Sequence, residues 1–231
     1  MQKIDESFYN NTDYFPKLRK QLDNLEHPLQ KLRIGKVLGL YKPMKSDRVL
    51  DLGCGWGTFS FVLAPICKSV TGLDFSKKSI DLCKQKLCKF KLKNVRFICA
   101  DAQKTGLPAK SFDLIISADL FEHLYPAQSV KVIAESHRLL ARGGKIVIWT
   151  PHRGHFLEHL KNNNIILEKD VSHVDYKSMS VLVKTLKMKG FRVLKANYFE
   201  SHLPVLRIVE RLLLPFIPLF RRRIGVLAQK I

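Results

Sequence analysis

The chain is poor in acid. Twenty Asp and Glu stand against forty Lys and Arg over 231 residues, a formal charge of +20. It also lacks any apolar run of the roughly eighteen uncharged residues a membrane-spanning helix needs. The first residues, Met1 to Glu6, include no apolar signal region, which argues against export. The five cysteines, Cys54, Cys67, Cys83, Cys88 and Cys99, are odd in number and contain no C-x-x-C pair. They read as reduced thiols of a cytoplasmic protein, not as a disulfide framework or a zinc site. Repeats are absent, and the only low-complexity tract is Asn162-Asn163-Asn164. What remains is enough chain for one domain with a full core and an added cap. Part of the excess charge falls on Lys77, Lys78, Lys84, Lys86, Lys89, Lys91, Lys93 and Arg96. That cluster is either a solvated helix face or an attraction for anionic lipid or nucleic acid.

The most informative stretch is Val49-Leu50-Asp51-Leu52-Gly53-Cys54-Gly55-Trp56-Gly57-Thr58-Phe59-Ser60. It reads as a buried strand, a glycine-dense turn and the start of a helix. Glycines at alternate positions allow a tight turn and leave no side chain between backbone and ligand. About twenty residues on, Val70 to Ser76 reads as a second strand tipped by Asp74, where a doubly wound fold places the carboxylate that binds a ribose. The glycine spacing is not the G-x-G-x-x-G of a dinucleotide site. Asp51 before the first glycine would repel a pyrophosphate and attract an ammonium.

Three more blocks follow in order. Val95 to Ala102 reads as a strand ending in Asp101. Ser111 to Asp119 reads as a fourth strand, continued by Leu120-Phe121-Glu122-His123-Leu124. Arg138 to Ile148 reads as a helix end, a Gly143-Gly144 turn and a fifth strand. Together these blocks, over roughly residues 46 to 151, resemble the class I S-adenosylmethionine-dependent methyltransferases, and loosely their small-molecule, quinone and lipid branch. Arg142 stands where that family usually has proline. The resemblance implies a cofactor site made of Asp51, Gly53, Cys54, Gly55, Gly57, Asp74, Phe75, Asp101, Ala102 and Ala118. In it Asp51 serves the amino-acid end of S-adenosylmethionine, Asp74 the ribose hydroxyls and Asp101 the adenine amino group.

The expected fold is α/β: a doubly wound, seven-stranded, mostly parallel sheet. Residues 1–45 form a helical N-terminal segment whose Tyr9, Tyr14 and Phe15 either line the donor pocket or pack as core. Residues 46–231 form the methyltransferase domain. Tyr176 to Lys189 reads as a helix stopped by Gly190, Phe191 to Phe199 as a sixth strand and Ile224 to Lys230 as a seventh. Two insertions, at about 151–175 and 200–223, follow strands five and six and should overhang the mouth of the site, since ligands bind at the carboxyl ends of parallel strands. In the second, Arg207, Glu210 and Arg211 make one narrow helical stripe and the rest is apolar, with Arg221-Arg222-Arg223 at its end. It suits lying in a membrane interface with its arginines toward anionic headgroups. A dimer seam and burial on the sheet are the alternatives, and the oligomeric state stays open.

For chemistry on the acceptor side the candidates are His123, His152, His155 and Asp119. His123 follows strand four, and His152 and His155 follow strand five. Asp119 would orient acceptor or cofactor. His155 and His159 are one helical turn apart, but without an H-E-x-x-H pattern no metal is expected. Asp175 or Ser172, beside His173 and Tyr176, reads as a cap of the later helix. The reading is a cytoplasmic methyltransferase, within reach of the inner membrane face, acting on a hydrophobic small molecule or lipid. The rivals are an RNA or protein methyltransferase, favoured by the charge, and a non-catalytic cofactor-binding protein. Against the first, no RNA-binding module is present and no Asn-Pro-Pro-Tyr-type motif follows strand four.

Overall fold

The computed structural model describes residues 25–163, 165, 171–201 and 204–231. Tyr9, Tyr14 and Phe15, with the rest of residues 1–24, lie outside the described residues. The described part opens on helix α1 (Pro28–Leu40). Alternation then runs β1 (Arg48–Leu52), α2 (Thr58–Leu63), β2 (Ser69–Asp74), α3 (Lys77–Phe90), β3 (Val95–Cys99) and β4 (Phe112–Ala118). A 3-10 turn at Phe121–His123 leads to α4 (Pro126–Leu139) and β5 (Leu140–Pro151). The chain closes with α5 (Phe156–Asn162), α6 (Met179–Met188), β6 (Phe191–Phe199), α7 (Pro204–Leu213), a 3-10 turn at Pro218–Phe220 and β7 (Arg223–Lys230).

The seven strands lie in one sheet in the order β3-β2-β1-β4-β5-β7-β6. All neighbours from β3 to β5 are parallel, and β7 runs antiparallel to both β5 and β6. The central strands read as continuous apolar runs because helices cover both faces. On one face Val49, Val70, Leu114, Val147 and Leu227 pack with Phe59, Leu63 and Ile80. On the other Leu50, Leu52, Ile115, Ile146 and Val226 pack with Val132, Ile133 and Leu186.

Local chemistry fixes the ends. Ser76 caps α3 by accepting from the Ser79 amide, and Ser178 caps α6 by accepting from Val181. The later helix therefore starts at Met179, where Tyr176 was expected from the apolar pattern. Between β4 and β5 the register jumps from Phe112 opposite Leu140 to Leu114 opposite Lys145, and Gly143 takes φ +75°, so the Gly-Gly turn sits inside the span of β5. Pro151 and Phe199 both pair with Arg223. That pairing brings the ends of β5 and β6 to the same edge as the ends of β1 to β4, and both insertions leave the sheet there.

Candidate functional site

The edge begins with the glycine turn between β1 and α2. Gly53, Gly55 and Gly57 all hold positive φ, at 75°, 50° and 80°. The Gly53 and Cys54 amides donate to the Leu73 carbonyl, which ties the turn to β2. Asp74 finishes the tie: one carboxylate oxygen accepts from the Gly55 amide at 2.9 Å and the other from Ser76 at 2.9 Å. Burial pushes the Asp74 acid upward from the ordinary carboxylate range. Asp51 is buried under the turn and accepts from the Ser60 amide at 2.8 Å and its hydroxyl at 2.7 Å. Burial dominates there too and raises its acid to about 6. Asp101, at the end of β3, is exposed and accepts from the Gln103 amide at 2.8 Å. Ala102 and Ala118 are buried at the ends of β3 and β4, Cys54 is buried within the turn, and Phe75 is half-buried after β2. The ten residues read from the sequence as a cofactor site are thus strung along one edge.

Gly55 tests whether that edge suits a ligand. A Cβ there would meet nothing within 4 Å, whereas one at Gly57 would strike the Phe61 ring at 2.7 Å. The backbone at Gly55 is therefore bare toward open space, in a conformation that only glycine adopts cheaply. Gly106 also holds a positive φ, at 71°, in open surroundings but lies outside this turn. Gly55→Ala should weaken nucleoside binding at least about tenfold, some 1.4 kcal/mol. Gly106→Ala, carrying a similar backbone cost, should leave it unchanged. Calorimetric titration of both variants checks this, and equal losses would remove the ligand from the argument.

The acceptor side differs from its sequence reading. Asp119, at φ +60°, sits between two arginines: Arg33 Nε of α1 donates to Oδ2 at 2.7 Å, and Arg223 of β7 donates to Oδ1 at 2.5 Å. Burial pushes its acid up, but Arg223 and Arg33 outweigh this and hold it at about 2. An acid that strong orients its neighbours and does not remove protons. Beside it lies a cavity of about 190 Å³ lined by Leu29, Leu32, Arg33, Lys36, Trp149, Glu200 and Arg223 among others. Lys36 and Glu200 pair across it at 2.7 Å.

Two of the histidine candidates are buried. His155 is fully buried; its Nδ1 accepts from the Leu157 amide at 3.2 Å and its Nε2 donates to Glu210 at 2.8 Å. Both nitrogens are committed, so His155 offers nothing to an acceptor. His152 is buried, donates from Nδ1 to the Arg221 carbonyl at 3.1 Å and packs edge-on against Tyr198. Both rings hold the insertions together. His123 is half-buried and donates from Nδ1 to the Ser172 carbonyl at 3.0 Å. Nor do the three terminal arginines face outward as a set. Arg222 is buried and paired with Glu158, and Arg223 is turned to Asp119. Carboxylates decide both cases, one supplied by α5 and the other by the residue that follows β4.

Arg33, Lys36, Glu200 and Arg223 were missed as site residues. Arg33 and Lys36 sit on a helix read only for its apolar spacing, and Arg223 stood in a run read as a surface anchor. A lone Asp after a strand, with basic residues in both flanking segments, was the available signal.

Residues 49–144 match the family model described as a methyltransferase domain. They form a class I, S-adenosylmethionine-dependent methyltransferase domain. The chain is 29% identical over 119 residues to an aklanonic acid methyltransferase of Streptomyces sp. (strain C5), covering 50% of this chain and 53% of that protein. It is 34% identical over 170 residues to a ubiquinone biosynthesis O-methyltransferase of Pelagibacter ubique, covering 74% of this chain and 56% of that protein. The chain thus spans about half the length of these curated relatives. A solved S-adenosylmethionine-dependent methyltransferase from Archaeoglobus fulgidus, 21% identical, superposes with a TM-score of 0.70 over 94% of this chain and all of that one, which shows the shared fold. The cofactor that goes with this domain is S-adenosylmethionine.

Proposed function

We propose that this chain transfers a methyl group to a hydrophobic small molecule or lipid presented at a membrane surface. S-adenosylmethionine supplies an activated methyl group when bound. The chain's own part is then mainly to position the acceptor and exclude water. Gly53, Cys54, Gly55 and Gly57 would line the backbone side of the donor, with Asp51 toward its amino-acid end and Asp74 toward its ribose. Phe75, Asp101, Ala102 and Ala118 would border the base and the methyl side. The cavity beside Asp119, walled by Leu29, Leu32 and Trp149, would hold the acceptor. Asp119 acts there as a positioning residue that keeps Arg33 and Arg223 in place. Of the three histidines named for the acceptor side, His123 is half-buried where His152 and His155 are buried.

One observation carries the membrane part: α7 turns Glu210 inward and leaves most of its apolar residues outside. Glu210 is fully buried, while Val205, Ile208, Val209, Leu212 and Phe216 are exposed, Val205 and Phe216 to about 80%. A soluble helix presents the opposite face. An outward apolar face beside Arg207 and Arg211, on a chain of charge +20, suits an anionic bilayer surface. Among the described residues no helix is long and apolar enough to cross a membrane, so the contact would be peripheral. The relatives named for ubiquinone and aklanonic acid chemistry support an apolar acceptor.

The test is co-sedimentation with vesicles containing anionic lipid. The protein should pellet at low salt, and Ile208→Glu with Leu212→Glu should return it to the supernatant without changing its melting temperature. Wild-type protein left wholly in the supernatant would end the membrane reading. Steep, salt-dependent binding to RNA in its place would favour a nucleic-acid acceptor.

A further inference from the structure

We propose that Glu122, His123 and His173 form a binding site for one divalent first-row metal ion of the zinc class. The three come from two places in the chain: the turn after β4 and the segment leading into α6. A ring nitrogen from each histidine and a carboxylate oxygen of Glu122 all lie within 4.8 Å of one another. Zinc bonds of about 2.0–2.2 Å would place such atoms roughly 3.4 Å apart. Closing the widest pair by up to about 1.4 Å is within reach of ring rotation in two half-buried histidines.

The surroundings set the ligands up. The Ser172 carbonyl, 3.0 Å from His123 Nδ1, accepts a hydrogen bond from Nδ1–H and so leaves the ring lone pair on Nε2 for a metal. Such outer hydrogen bonds are what orient metal-binding imidazoles. His173 Nδ1 lies 2.8 Å from the Tyr176 hydroxyl. Glu122 is fixed by the Thr150 hydroxyl at 2.9 Å, and its backbone carbonyl accepts from the Asp175 amide at 3.2 Å, which clamps the two segments together. The basic groups nearby are already matched. Arg223 is bound to Asp119, and Lys177 Nζ to Asp175 at 2.6 Å and the Leu124 carbonyl at 2.7 Å. Two imidazoles with one carboxylate suit zinc and its neighbours better than magnesium or calcium, and three protein ligands leave a position open for water or substrate. Because fifty residues separate His123 from His173, no local motif betrays the set.

The inference does not depend on methyl transfer, and its test keeps the two apart. Untagged, chelator-stripped full chain, with Cys88→Ser and Cys99→Ser to silence exposed thiols, is titrated with zinc by calorimetry and with cobalt by visible absorption. One ion per chain should bind with a cobalt ligand-field band. His123→Ala, His173→Ala and Glu122→Gln should each weaken binding at least tenfold. S-adenosylhomocysteine is titrated into the same samples, and His173→Ala should leave that binding intact. Should His123→Ala or Glu122→Gln fail to fold, the half-buried His173 carries the test. No ion bound by the parent protein, or an unchanged band in His173→Ala, overturns the proposal and leaves the cluster as a hydrogen-bonded brace.

Discussion

Asp74→Ala is expected to weaken S-adenosylhomocysteine binding by about 100-fold, some 2.8 kcal/mol. The size follows from two tasks performed by one carboxylate. It accepts the Gly55 and Ser76 amides, both at 2.9 Å, and so fixes the glycine turn against the end of β2. In the proposed site its remaining lone pairs would be offered to the ribose hydroxyls. A hydrogen bond to a charged group contributes about 1.5–3 kcal/mol. Removing this acceptor loses the ribose contact and loosens the bare backbone at Gly55 as well. Asp74→Asn keeps one acceptor oxygen and should fall between the two. Calorimetric titration, with melting curves to show that the sheet survives, measures all three proteins. Undiminished affinity in Asp74→Ala would detach the glycine turn from the nucleoside. Absence of binding to the wild type would withdraw the methyl-donor reading itself.

That half of the molecule was legible because its signals are local. A strand, a glycine turn and an acid-tipped strand specify backbone shape within about twenty-five residues, and β1, β2 and Asp74 stand where the pattern puts them. The seven-strand count was legible for the same reason: each strand carries its own apolar run. The acceptor side is built from long-range pairings that no window contains. Asp119 meets Arg33 from 86 residues before it and Arg223 from 104 residues after it. A helical projection of α7 separates a charged stripe from an apolar face but cannot say that Glu210 turns inward while Arg211 stays exposed. The partner of Glu210 decides that, and it is His155, 55 residues earlier.

Breaking the buried polar network around His155 should cost more stability than any surface change. Under α7 and α5 lies a buried polar chain: Ser201 amide to Glu210, Glu210 to His155, and Arg222 to Glu158 beside His155. Glu158, Glu210 and His155 are each no more than 1% exposed, and Arg222 is 6% exposed. Removing one partner of a buried ion pair strands the other, at about 3–5 kcal/mol. Glu158→Ala should therefore lower the melting temperature by on the order of 10 °C for a chain of this size. Glu158→Leu with Arg222→Met, which removes both charges, should recover much of the loss. A smaller drop in Glu158→Ala than in the double variant would show that the pair is not the anchor. The network should also be acid-sensitive. Burial lowers the affinity of His155 for a proton, so at neutral pH it stays uncharged and donates to Glu210. Burial pushes Glu210 up, but His155 and the Ser201 amide outweigh it and hold it below the usual range. Both groups bind protons less readily folded than unfolded, so stability is lost as pH falls, first through the ordinary histidine range near 6.5 and then through the ordinary glutamate range near 4.3. The insertions should loosen first, because they are the segments these groups join. Melting curves between pH 8 and pH 4 should fall more steeply for the wild type than for Glu210→Gln with His155→Gln. Parallel curves would place the acid sensitivity elsewhere.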